Sequence, residues 1–203
     1  ESNQWGHEYS TSIEILSTQI ESKGGQLMNL FYLNPNSEAS ARNLCDKHVP
    51  KMLLETCQML STAVRNQVPH LIKGDTVYKT AYPNHPMTKW VGDSYYNFMW
   101  AFTHAKQINA EYNYRFGKIH KSERILDTIH RFKQDIHESY CKNDNMDMTT
   151  IPQCMPDQYK NKDNPVEAYR NYYFHEKKYF AKWEKGRSKP HWFVEKERLH
   201  GEQ

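Results

Sequence analysis

The stretch Asp46-Lys47-His48-Val49-Pro50-Lys51-Met52-Leu53-Leu54-Glu55 holds the residue types and spacing best suited to chemistry. Written on a helix, it brings His48, Lys51 and Glu55 to one face, because side chains three and seven positions apart return to the same side. Two potential cations then stand about one and two turns from a carboxylate. Such a group could stabilise positive charge developing on a substrate, or hold a phosphate. The same spacing also suits an ordinary solvated face, on which a pair between Lys51 and Glu55 contributes about 0.3–0.5 kcal/mol. Spacing alone leaves both readings open.

These residues need a helix to carry them. Pro50 cannot donate its amide, so a single helix over 38–66 would kink there, and a restart with Asp46 as N-cap fits better. Met52, Leu53, Thr56, Leu60 and Val64 form the expected buried stripe, with His48, Lys51, Glu55 and Gln58 on a different face. Ahead of it, 28–33 is a short apolar run, read as a strand or a buried extended segment. Asn36 or Ser37 then caps a helix that starts near Glu38.

Further along, 67–86 is a loop rich in Pro and Gly. The spacing predicts one long helix over 88–116, with Trp90, Tyr95, Phe98, Phe102, Ala105, Ile108 and Tyr112 as a core stripe and Gly117 as its stop. A short helix follows over 122–132, and 141–165 is a loop. A final helix is expected over 165–185, ended by Gly186, with Tyr172, Phe174 and Phe180 in the core. His191-Trp192-Phe193 packs back ahead of a polar tail over 194–203. Residues 1–27 read as an appended arm and linker, with an amphipathic turn of helix over 12–21.

The chain has 203 residues and 14 Tyr, 8 Phe and 5 Trp, so large rings build much of the core, each burying roughly 150–250 Å². The expected fold is mainly α: a compact single domain over 28–193 with long loops. The net charge is only +3, yet 167–189 alone carries seven Lys and Arg against three Glu, or +4. The cysteines (45, 57, 141, 154) show no C-x-x-C spacing and read as reduced thiols of an intracellular, non-secreted protein. No apolar run is long enough for a membrane span. No H-E-x-x-H or paired-carboxylate spacing points to a metal, and no cofactor is expected.

Three blocks resemble a known family. The first is Leu44-Cys45-Asp46-Lys47-His48-Val49 with Glu55 nine residues after Asp46. The second is Asn84-His85-Pro86, then Lys89-Trp90, then Glu111-Tyr112-x-Tyr114-Arg115-Phe116-Gly117. A looser third is the basic and aromatic stretch over 169–183. Together they resemble the pyrimidine-dimer DNA glycosylases of the phage endonuclease V type and their bacterial and viral relatives.

That resemblance implies a helical domain acting on damaged duplex DNA as glycosylase and abasic-site lyase. An amine attacks the sugar C1′ and expels the base, and the resulting imine permits β-elimination. Glu55 corresponds to the family's essential glutamate. The family's amine falls at Met28 or Asn29, which here lie inside the chain. The alternatives are a chain that starts near Met28, an internal lysine (Lys51 or Lys47) in its place, or a scaffold that binds nucleic acid without the chemistry.

Candidate phosphate contacts are Arg42, Lys47, His48 and Lys51 around the first block, and His85, Lys89 and Arg115 in the second. Lys118, His120 and Lys121 lie at a helix start, and Arg170, Lys177, Lys178 and Lys182 on the outer face of the last helix. Residues 1–27 are a candidate docking arm for a protein partner. Recognition of a lesion is expected to flip a base out of the stack.

Overall fold

Asn36 turns its side chain back on the chain that follows, and its Oδ1 accepts the amide of Ala39 to open α1 (Ser37–Asn43). This is seen in a computed structural model that describes residues 28–201; the expected arm over 1–27, with its short helix and its proposed docking role, lies outside the described residues. Helix is the main regular structure of the described residues, which contain no strand. Residues 28–33 form no regular element, turn at Phe31 and are buried apart from half-buried Tyr32, so of the two readings offered for them the buried segment holds, but not as an extended one.

Helix α2 runs His48–Gln67. Pro50 is its third residue, where the missing amide costs nothing because the first amides of a helix have no intrahelical acceptor. Asp46, expected as the N-cap, stands one residue too early. Lys47 takes the cap position without a side-chain bond, and the Asp46 carboxylate serves two distant donors instead.

The expected helix over 88–116 is two helices, α3 (Pro86–Asp93) and α4 (Tyr95–Phe116). Between them Ser94 is extended (φ −146°, ψ 161°), and its Oγ caps α4 through the amide of Asn97. Gly92 and Asp93 weaken the helix just before that cap. Gly117 ends α4 in the left-handed conformation, as expected.

Helix α5 (Glu123–Arg131) is followed by α6 (Lys133–Lys142), which the sequence pattern did not announce. Helix α7 (Pro165–Lys177) stops eight residues before the expected end at 185. There the amides of Phe180 and Ala181 both turn back to the Lys177 carbonyl, and the chain reverses. Gly186 belongs to the later turn, with φ 75° and a built Cβ that would meet the Tyr114 ring at 3.2–3.4 Å. Trp192 and Phe193 do pack inward, but from a helix, α8 (His191–Gly201), that takes up most of the expected tail.

Helix α2 is the centre of the molecule: α3, α4, α5 and α6 all pack on it, and α1 rests on α4. It is therefore buried on nearly every side, and His48 and Glu55 are enclosed along with the apolar stripe. Tyr140, Tyr169 and Tyr173 are fully buried, and each hydroxyl finds a partner: the Gly92 carbonyl, the Pro152 carbonyl and His48. No described helix is long and apolar enough to cross a membrane. All four cysteines are free thiols.

Candidate active site

The 28–33 segment has no neighbouring strand, so side chains must satisfy its backbone. Ser40 on α1 donates to the Phe31 carbonyl and accepts the Leu33 amide, both at 3.1 Å. Arg170 on α7 donates to the Leu33 carbonyl at 2.9 Å. His104 on α4 stands with Nε2 3.2 Å from the Leu30 carbonyl and Nδ1 3.0 Å from that of Ser37. Asn29 folds its own Oδ1 onto the Phe31 amide and ties its Nδ2 to the Cys154 carbonyl. Phe31 is held at φ 48°, a left-handed conformation that costs a bulky residue roughly 1–2 kcal/mol.

The strap ends at Glu55. Its Oε2 accepts the backbone amide of Asn29 at 3.1 Å, and its Oε1 lies 3.6 Å from Lys51 Nζ. Glu55 is only 7% exposed. Burial pushes its carboxyl up to about 7, although Lys51 and the Asn29 amide both favour the ionised form. A carboxyl poised there can give or take a proton near neutral pH.

Phe31 of the strap opens onto a face of rings and cations. Phe31 stacks on His48 (4.9 Å, 17°) and more loosely on Tyr172 (6.1 Å, 20°). Lys177 Nζ sits over Tyr172 at 5.1 Å, and Lys47 Nζ over Phe180 at 4.8 Å. Lys177 is half-buried; burial first and Lys51 second lower its pKa. Lys51, Lys177 and Lys47 all act on His48, so α2 and the end of α7 bring three lysines to one place. The surface hollows lie elsewhere, one lined by Thr76, Arg124, Asp127, Thr128, His130 and Arg131. A duplex calls for an open basic face more than for a hollow.

Several candidate contacts are placed differently from the expectation. His48 is buried, and burial together with the three lysines lowers it to about 3, so it is neutral and has no charge to offer a phosphate. The Tyr173 oxygen accepts the Cys45 amide, which leaves its proton for His48 Nδ1 at 2.8 Å. Arg115 is wholly enclosed; it binds Glu111, Asp46 and the carbonyls of Arg42 and Leu44, with no donor turned to solvent. Arg170 is committed to the strap and to Trp192. His85 caps α3, accepting the Met87 amide on Nδ1. His120 accepts the Ser122 amide and meets the Tyr112 ring.

Arg42, Lys47, Lys51, Lys89, Lys118, Lys121, Lys178 and Lys182 are exposed. Arg42 pairs with Glu38, Lys178 lies over Phe174, and Lys182 approaches Glu184 at 3.5 Å. Lys89, Lys118 and Lys121 share no hydrogen bond or ion pair with Glu55, Lys51 or Lys177.

One cluster was legible only in part, since Glu111 and Arg115 stand four positions apart on α4 but their other partners lie far along the chain. Glu111 receives Arg115 at 2.9 Å and Arg187 at 2.6 Å; burial alone would raise its pKa, but these bonds outweigh it and hold the carboxyl low. Asp46 binds Arg115 at 3.1 Å and the Glu184 amide at 2.7 Å, while its own amide donates to the Lys182 carbonyl at 2.8 Å. The partners lie 69 to 138 positions apart, beyond the reach of any periodicity. Among the described residues no three His, Cys, Asp or Glu side chains gather to hold a metal ion.

No curated protein and no solved structure matches the chain. Residues 28–124 match the family model described as pyrimidine dimer DNA glycosylase, which bears out the resemblance carried by the sequence motifs. The family implies a pyrimidine dimer DNA glycosylase role, with DNA as the substrate.

Proposed function

We propose, from that family match, that the protein excises damaged pyrimidines from duplex DNA and then opens the abasic strand, with Glu55 as acid and base. The observation that carries this reading is the Glu55 carboxyl itself: buried, raised to about 7, and in contact with both the nitrogen of residue 29 and Lys51.

An amine attacks C1′, and the bond to the base breaks with its electron pair leaving on the base. The amine sheds a proton and the sugar ring opens to an imine. Loss of a C2′ proton then expels the 3′ phosphate. Carboxylate beside C1′ stabilises the cationic sugar, and the same group shuttles the protons. Two nitrogens reach it. Lys51 Nζ is an amine in the chain as it stands. The nitrogen of residue 29 is a peptide amide and becomes a nucleophile only in a chain that starts there; Met28 as a first residue would place its amine next to it. Lys47 and Lys177 would hold the flanking phosphates, and the exposed Lys178 and Lys182 would extend the contact.

The test uses ultraviolet-irradiated duplex with borohydride present, for the full chain and for a chain starting at Met28. Strand nicking and a covalent adduct are expected, and peptide mapping of the adduct names the amine. If neither chain gives an adduct or a nick while both still bind DNA, the scaffold binds without catalysis and this reading is wrong.

A further inference from the structure

We propose that Cys141, His137 and Met146 form a site for a single copper(I) ion. The site lies outside the matched family segment and shares no residue with the Glu55 cluster. Cys141 Sγ is 3.6 Å from His137 Nε2 and 3.7 Å from Met146 Sδ. Ligands bound at about 2.3 Å for sulfur and about 2.0 Å for imidazole nitrogen stand roughly 3.5–3.9 Å apart in a trigonal or tetrahedral sphere. The imidazole nitrogen and the thioether therefore each already stand at a coordination-shell distance from the thiol sulfur.

The fold supplies this spacing. His137 and Cys141 are one turn apart on α6. Met146 is brought back by a tight turn, in which the Asn145 amide returns to the Tyr140 carbonyl. That turn is locked to the start of α4, where the amides of Tyr95 and Tyr96 donate to the carbonyls of Asn145 and Met146. The Tyr95 ring stands edge-on to His137 at 4.8 Å. His137 presents the edge between its two nitrogens to the sulfur, with Nδ1 at 3.8 Å, so a turn about its last side-chain bond aims Nε2 at the ion.

The donor set selects the metal. Thiolate and thioether are soft ligands that favour copper(I), whereas zinc sites draw on thiolate, imidazole and carboxylate without thioether. Access is also restricted to this place, because Cys45, Cys57 and Cys154 are buried and Cys141 is exposed. Binding releases the thiol proton and changes no oxidation state.

The test is an anaerobic titration of the full chain with copper(I) against bicinchoninate as a coloured competitor. One ion per chain is expected to be withheld from the competitor, with a thiolate-to-copper absorption in the ultraviolet. Cys141→Ser should abolish that uptake, and Met146→Leu should weaken it at least tenfold while leaving zinc binding unchanged. Circular dichroism of each variant confirms the fold. Uptake that survives Cys141→Ser, no uptake by the parent chain, or zinc held more tightly than copper(I) overturns the proposal. None of these readouts depends on DNA cleavage.

Discussion

At Glu55 the proposed function and stability pull in opposite directions. Its carboxyl lies at about 7 in the fold against an ordinary 4.5, so the folded state resists ionisation. The resulting cost is absent below the ordinary value and complete once pH has risen through 7. Glu55→Gln removes the charge but keeps an acceptor for the Asn29 amide. Its melting temperature should exceed the parent's at pH 8, where the difference is on the order of 3 kcal/mol, and the gap should shrink below about 1 kcal/mol at pH 5. The same variant should lose strand nicking and covalent trapping. In the parent, kcat/KM on irradiated duplex should rise with pH through about 7 as the carboxylate forms. A substitution that lowers stability at pH 8 and leaves nicking intact would remove Glu55 from the chemistry. Its candidacy came from the family resemblance, since the helix period alone also fits an ordinary solvated face. Its burial could not be read from the sequence, since the strap that meets it lies 26 positions away.

The elements show how a segment outside the matched family region is tied to the start of α2. The chain beyond α7 returns to the start of α2, where Asp46 binds the Glu184 amide and Lys182 receives the Asp46 amide. Asp46→Ala would orphan that amide and remove one partner of an enclosed arginine. We expect a loss of about 2–4 kcal/mol, seen as a lower urea midpoint with unchanged slope. Asp46→Asn retains an acceptor and should lose less. Equal midpoints for the Ala variant and the parent would show that the lock carries no energy. Local rules served well where a cap or a stop is chemical: Asn36 and Gly117 were legible, whereas Pro86, read as the end of a loop, opens α3. They failed at Ser94, hidden inside an aromatic stripe that continues across it, and at Lys177, where a local turn onto its own carbonyl rather than a glycine ends the helix.

On the scale of the whole molecule, the small net charge conceals a concentrated one. Lys47, Lys51 and Lys177 meet around His48, and Lys51 links them to Glu55, although 130 positions separate the first from the last. Duplex binding should weaken steeply with salt, with a slope near −0.9 for each phosphate neutralised. Replacing Lys51 and Lys177 together by Gln should flatten that slope by about two, in a fluorescence anisotropy titration on undamaged duplex. An unchanged slope would place the DNA on another face. The strap over 28–33 has a consequence of a different kind. Its amides at Asn29, Phe31 and Leu33 are closed by side chains, so in deuterium exchange they should behave as members of the slow core although no helix contains them. The Asn29 proton would open only when the acid lets go, and its solvent exchange then becomes a clock for the movements of a single carboxyl group.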